Sequence, residues 1–208
     1  FINDSNPDLV IVYRVIKNQL PELIKELKKL SRDLTKEEFE RIRSSKPTTN
    51  VTRAARFIYL NKTCYNGLWR VNSKGEFNVP FDKSSSTNLF NIEVLLACSE
   101  RLKGATITNL SFHESVADAK KGDLVYLDPP YLPLTPTASF AAYAKEGFHE
   151  SDHKLLALTI GKLTQKGVYV LMSNSDTPLT RKIFREHLTL RRLLMRRTMS
   201  ATGHSRHS

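Results

Sequence analysis

The strongest constraint on this chain comes after residue 105, where short apolar runs alternate with amphipathic helical ones. Strands are expected at Thr106–Leu110, Asp123–Leu127 and Val168–Met172, and again near Leu188–Leu194. A helix is expected from Ser151, as its cap, to Lys166, stopping at Gly167, and another after Pro178. Strand-helix alternation with continuous apolar strands predicts an α/β fold with a mostly parallel sheet covered on both faces. The first half reads differently. Asn6-Pro7-Asp8 opens a helix with a cap, a proline at its first position and an acid in its first turn. Pro21 starts a second helix, Thr35-x-x-Glu38 forms a capping box for a third, and residues 53–62 make a buried fourth. A helix from about Asn91 to Lys103 ends at Gly104 as its C-cap. Between them, Gly67 to Phe81 alternates with period two around Asn72-Ser73-Lys74-Gly75, a β-hairpin signal. Phe1 to Asp4 resembles the tail of a buried strand. The mainly helical first half is therefore expected as an insertion into, or a lobe beside, an α/β core.

Charge is concentrated. The chain has 208 residues and a net charge of +11. Two segments hold the excess. One is 53–83, with Arg53, Arg56, Lys62, Arg70, Lys74 and Lys83 against Glu76 and Asp82. The other is 181–208, with Arg181, Lys182, Arg185, Arg191, Arg192, Arg196, Arg197 and Arg206 against Glu186 alone. Such clustering fits a polyanion partner, most simply nucleic acid, or else a solvated basic surface. No apolar run approaches the ~20 residues of a membrane span, and no secretory leader is visible. Cys64 and Cys98 lack C-x-x-C partners, which favours a reducing compartment and excludes a zinc ribbon. His113, His149, His153, His187, His204 and His207 show no metal spacing and are expected at the surface or in caps.

The chemistry centres on Asp128-Pro129-Pro130-Tyr131, placed directly after the apolar strand. Ligands of open α/β sheets bind at the carboxyl ends of strands. The prolines fix φ and remove two N–H donors, leaving the Asp128 and Pro129 carbonyls as rigid acceptors. A carboxylate, a free carbonyl and an aromatic face within four residues suit a flat group that carries an amino. The bland reading is a strand-terminating turn with Tyr131 as packing. Trp69 and Phe77 could stack bases or form a small hydrophobic face. Asn174 and Asp176 could cap the helix that follows them or line a base pocket.

Asp-Pro-Pro-Tyr after an apolar strand resembles the catalytic motif of amino-methyltransferases that use S-adenosylmethionine, and the surroundings are similar to the Dam-type adenine-N6 DNA methyltransferases. Four stretches carry the resemblance, in family order, over nearly the whole chain. They are Asp4 to Leu9; Tyr59-Leu60-Asn61 through Tyr65-Asn66-Gly67-Leu68-x-Arg70 to Phe81; Asp128 to Tyr131 with Phe140-x-x-Tyr143; and Ser173-Asn174-x-Asp176-Thr177. The resemblance implies a Rossmann-like methyltransferase core at 1–14 plus 105–208, with an inserted, mainly helical target-recognition domain at 15–104 bearing the hairpin 67–81. It implies that Asp128 and the Pro129 carbonyl bind the target amino group and that Tyr131 stacks on an extruded adenine. Asp4 would bind the cofactor ribose, Ser115 or Val116 would contact the cofactor adenine, and Asp128 would also face the cofactor. Tyr65 and Asn66 would wedge into the base stack, and Leu68, Arg70, Asn78 and Pro80 would meet DNA, with GATC as the site. The implied protein is a cytoplasmic monomer acting on double-stranded DNA without metal or membrane. The alternatives are a catalytically silent DNA-binding relative or a methyltransferase for RNA adenine or protein glutamine. No Phe-x-Gly-x-Gly loop is present, because the chain begins after the place where it belongs. The expectation is thus either an N-terminally shortened piece or a polypeptide that holds cofactor poorly by itself.

Overall fold

The computed structural model describes residues 1–82, 88–132 and 148–187. The expected strand near 188–194, the Phe140-x-x-Tyr143 pair and the basic residues Arg191, Arg192, Arg196, Arg197 and Arg206 lie outside them. The chain forms two compact units, 1–110 and 111–208.

In the first unit, β1 (Ile2–Asn3) pairs in parallel with β2 (Ile107–Thr108). Phe1, expected in a buried strand, is exposed, and Ile2 and Asn3 are half-buried. Helix α1 (Pro7–Asn18) is capped by the Asn6 side chain, which accepts from the Asp8 and Leu9 N–H groups. Helix α2 (Leu20–Leu30) carries Pro21 in its first turn, where its missing N–H costs nothing. Helix α3 (Lys36–Ser44) has only half of its expected capping box. Thr35 accepts from the Glu38 N–H, but the Glu38 carboxylate turns outward to Arg41 in a two-bonded ion pair. Helix α4 (Asn50–Thr63) is longer than the sequence pattern implies because Thr49 caps it three residues earlier. Helix α5 (Ile92–Leu102) starts from Asn91, but Lys103 is its C-cap and Gly104 is not left-handed.

Two apolar clusters fill this unit. Val10, Val15, Leu23, Leu27, Ala54 and Ala55 join α1, α2 and α4, while Phe39, Tyr59, Leu60, Phe77, Val79 and Leu89 join α3, α4 and the hairpin segment. Burial of this kind is the main favourable term in folding. The buried Tyr59 ring keeps its hydroxyl bonded to the Asp33 carbonyl at 3.2 Å, and burial pushes the phenol up to about 12.

The second unit contains α6 (Phe112–Ser115), β3 (Leu124–Leu127), α7 (Glu150–Gln165), β4 (Tyr169–Met172) and α8 (Pro178–Phe184). β3 and β4 are parallel, with Leu124 opposite Tyr169 and Leu127 opposite Met172. Side chains alternate across the pair. Val125, Leu127, Val170 and Met172 pack with Leu156, Ile160 and Phe184. Leu124, Tyr126, Tyr169 and Leu171 remain 59–69% exposed. Cover on both faces was expected; among the described residues helix packs on one face only. Helix α7 begins at Glu150, not at a Ser151 cap, because His149 and Asp152 form the capping box. His153, expected at a surface or cap, is buried with its ring edge-on to Phe148 and Phe184.

Candidate functional site

β3 runs into Asp128-Pro129-Pro130-Tyr131 at its carboxyl end. The rungs Tyr169 N–H to Asp123 carbonyl (2.8 Å) and Ser173 N–H to Leu127 carbonyl (3.1 Å) mark the ends of the ladder. A further rung would need an N–H at Pro129, which has none. Pairing stops there, and no described residue donates to the Pro129 carbonyl. Asp128 continues the Leu124–Tyr126 face of the strand and is exposed. Ser173 lies opposite it, one residue beyond β4. Its hydroxyl donates to Asp128 Oδ1 at 2.6 Å and lies 3.1 Å from the Tyr126 hydroxyl. Tyr131 is half-exposed, at 53%. After it, Leu132 is buried and its N–H donates to Asn174 Oδ1 at 3.0 Å. A carboxylate, an unpaired carbonyl and an open ring are thus held within four residues.

Neither Asn174 nor Asp176 caps the helix that follows them. Thr177 caps α8, accepting from the Thr180 N–H at 3.0 Å. Asn174 Oδ1 accepts two backbone N–H groups, from Leu132 and Ser175, which fixes its amide orientation and leaves its buried Nδ2 without a partner among the described residues. Asp176 takes Arg181 in two bonds at 2.7 and 2.9 Å, and this guanidinium holds the carboxyl below its usual range. Ser115 is half-buried and its hydroxyl donates to the Phe112 carbonyl at 2.8 Å, so it can only accept from a ligand. Val116, half-buried, ends α6 as its C-cap.

In the first unit, Asp4 stands at the carboxyl end of β1. Its Oδ1 accepts the Asn6 N–H at 2.7 Å, and Oδ2 takes no bond from a described residue. A half-buried carboxylate with one open oxygen fits a hydroxyl donor such as a ribose.

The second stretch forms a turn and a sparse hairpin. Asn66 and Gly67 both have positive φ, 52° and 62°, and the Leu68 N–H donates to the Tyr65 carbonyl at 3.2 Å. Two successive left-handed residues are what Asn-Gly supplies. The turn is strapped by Asn61 Nδ2 to the Gly67 carbonyl and by Tyr65 N–H to the Pro80 carbonyl at 2.9 Å. Cys64 is buried against the Leu68 carbonyl, and burial pushes its thiol up to about 11, which removes it as a nucleophile. Among the described residues of the hairpin, only Val71–Phe77 and Cys64–Phe81 make bridges. Asn72 closes the tip, its side-chain oxygen accepting from Lys74 and Glu76 N–H, with Gly75 at φ +76°. Trp69 stacks on Phe57 at 3.9 Å and Phe77 is buried, so this pair is the hydrophobic face of the hairpin and not a base-stacking platform. Arg70 is exposed and held by Asn78 through Oδ1 (2.8 Å) and the carbonyl (3.3 Å). Asn66, Asn78 and Pro80 are exposed as well, while Tyr65 and Leu68 are half-buried.

The basic excess of this segment is partly internal. Arg53 pairs with Asp8 at 2.8 Å. Arg56 donates to the Ile42 and Arg43 carbonyls at the end of α3, and burial lowers its pKa. Lys62, Arg70 and Lys74 remain as the outward charges among the described residues. Ser173 belongs to the stretch 173–177 that carries the resemblance, but its sequence context alone marks no role for it. The signal that would have marked it is the parallel register, which sets it against Asp128.

The chain belongs to the D12 class of N6 adenine-specific DNA methyltransferases, whose family model matches residues 1–199. Among its relatives are the type II methyltransferase M1.LlaDCHI of Lactococcus lactis subsp. cremoris and M.MjaIII of Methanocaldococcus jannaschii. Each is 36% identical over 99% of this chain and 75% of its own length. The DNA adenine methylase of Serratia marcescens is 37% identical over 95% of this chain and 74% of its own length. The chain thus spans about three quarters of these relatives. Among the described residues no helix is long and apolar enough to cross a membrane, and no cluster could hold a metal ion.

Proposed function

We propose that this chain transfers a methyl group from S-adenosylmethionine to the N6 amino group of an adenine swung out of duplex DNA, with GATC as the site. The observation that carries the reading is the end of β3: among the described residues, the Asp128 carboxylate is tied on one oxygen only, beside a Pro129 carbonyl without a donor and an open Tyr131 ring. The adenine amino nitrogen is a poor nucleophile because its lone pair is delocalised. Bonds from its two hydrogens to Asp128 and the Pro129 carbonyl favour a tetrahedral nitrogen and stabilise the positive charge it gains. Acceptors fixed before reaction cost no reorganisation when that charge develops. Tyr131 adds a π-face beside the developing cation. The cofactor supplies a methyl already activated on a sulfonium. Asp4 would hold its ribose through the open Oδ2, and Ser115 and Val116 would border its adenine, Ser115 as an acceptor only.

Within a duplex the amino group is out of reach, so extrusion is required, at a cost of a few kcal/mol. Tyr65 and Asn66 would fill the space left in the stack, supported by a turn that its own bonds keep rigid. Leu68, Arg70, Asn78 and Pro80 would face base edges, with Arg70 reading guanine through two donors. In this reading 1–14 and 105–208 make a Rossmann-like core and 15–104 the recognition domain.

The test is transfer of labelled methyl to duplexes with and without GATC, by the wild type and by Asp128→Ala. N6-methyladenine confined to GATC duplexes and abolished by Asp128→Ala is expected. Incorporation into RNA or protein and not DNA, or duplex binding with no transfer, rejects the reading.

A further inference from the structure

We propose that Ser173 is a positioning residue that locks the Asp128 carboxylate in the orientation used for catalysis, with Tyr126 setting the Ser173 hydroxyl. The inference deepens the role assigned to Asp128 above and rests on it. The parallel register brings the three side chains together. Tyr126 and Asp128 are two residues apart on one face of β3 and its extension, and Ser173 continues the same face of β4. Among the described residues, Ser173 is the only hydrogen-bond partner of the Asp128 carboxylate, at 2.6 Å.

Proton counting gives this chain a direction. A serine hydroxyl has one proton. Ser173 spends it on Asp128 Oδ1, so the 3.1 Å contact with Tyr126 must be a bond that the tyrosine donates. The relay therefore runs from Tyr126 to Ser173 to Asp128, and the carboxylate can turn about its χ2 only by breaking it. Oδ1 is committed and Oδ2 is left for the substrate amino group. The next residue, Asn174, holds the far end of the motif through the Leu132 N–H. Two consecutive side chains after β4 thus clamp residues 128 and 132, the flanks of the turn that carries Pro129 and Tyr131.

Three measurements test this on the full chain. First, single-turnover methylation of a GATC duplex by Ser173→Ala should slow by about ten- to a hundredfold, the value of one hydrogen bond to a charged group. Cofactor and duplex Kd should stay within about twofold, and the melting midpoint should not move. Second, Ser173→Thr, which keeps the hydroxyl, should recover most of the rate, while Tyr126→Phe should lose only about threefold. Third, a crystal structure of Ser173→Ala should show the Asp128 carboxylate in more than one orientation. An unchanged rate in Ser173→Ala, a deficit that Ser173→Thr leaves unrepaired, or a single unchanged Asp128 orientation overturns the inference. Absence of N6-methyladenine with the wild type would instead defeat the functional reading, and the Asp128 orientation in Ser173→Ala would still judge the clamp.

Discussion

The turn after β3 and the turn at Tyr65–Leu68 are built on opposite logic. At Asp128–Tyr131, donors are withheld: prolines replace N–H groups, the strand ladder ends, and acceptors face outward. At Tyr65–Leu68 most of the nearby donors are used. Asn61, Tyr65, Gly67, Leu68 and even the Cys64 thiol are bonded inward, around two left-handed residues. An unsatisfied acceptor is tolerable only where a ligand or water can reach it. The first turn therefore reads as a receptor for hydrogens, the second as a rigid wedge. Its specificity has to come from side chains beside it.

If that contrast is right, the largest effect belongs to the receptor. Asp128→Asn keeps shape but replaces half of the carboxylate with a donor aimed at an amino group. The methylation rate should fall by about a hundred- to a thousandfold, the scale seen when one preorganised electrostatic partner is removed, while duplex binding by fluorescence anisotropy is kept. A parallel loss of binding would make Asp128 structural and erase the contrast.

Next in size is Arg70. Its guanidinium is exposed, and Asn78 presents it without burying it. Arg70→Ala should cost about 1–3 kcal/mol of discrimination at one base pair, read as kcat/KM over duplexes varied position by position, with no change in melting. Arg70→Lys should keep the charge and lose the discrimination, because a lysine has no two-pronged fork. A uniform loss over all sequences would turn Arg70 into a phosphate contact.

The wedge is tested through its backbone. A Cβ on Gly67 would meet nothing nearer than the Asn61 carbonyl at 3.5 Å, an ordinary contact, so the cost of Gly67→Ala is that of φ +62° alone. It should be about 1–2 kcal/mol, seen as a lower melting midpoint, with a smaller share of DNA binding lost.

What the sequence disclosed about these two turns follows the range of the interactions involved. Asp128–Tyr131 could be read because proline acts on its own backbone, whereas Asn66-Gly67 entered only through the resemblance. The same locality made the Asn6 and Thr35 caps readable. Pairings that depend on a neighbour were not. Glu38 prefers Arg41 to the capping box, His149 displaces Ser151 as a cap, and Arg56 is spent on the end of α3. Ser173 became visible only once the β3–β4 register was known, and Trp69 resolved into core only once Phe57 was found against it. Charge pointed to the kind of partner but not to the contacts, because a count of arginines does not say which of them the fold itself consumes.

The smallest effect concerns the packing beneath the receptor turn. His153 is buried on α7 against Phe148 and Phe184, its Nδ1 has no partner among the described residues, and burial holds its pKa below the ordinary 6.5, although Asp152 and Glu150 pull the other way. Above 6.5 the ring is neutral in the folded and unfolded chain alike, and its pH term vanishes. As the pH falls through 6.5 the unfolded chain takes up the proton first, so stability declines on acidification. The decline ends at the lower pKa of the buried ring; in the carboxylate range Glu114, Glu150 and Asp176, each held below its ordinary value, begin to lose their own contribution. Urea melts of His153→Leu should therefore show a flatter dependence than the wild type as the pH falls below about 6.5, where unfolded histidine titrates. The first unit, with no buried histidine among its described residues, should show no such decline when probed through Trp69 fluorescence. Equal acid sensitivity in both units would mean that they unfold as one, and the contrast between the two turns would then be one of chemistry and not of separate stability.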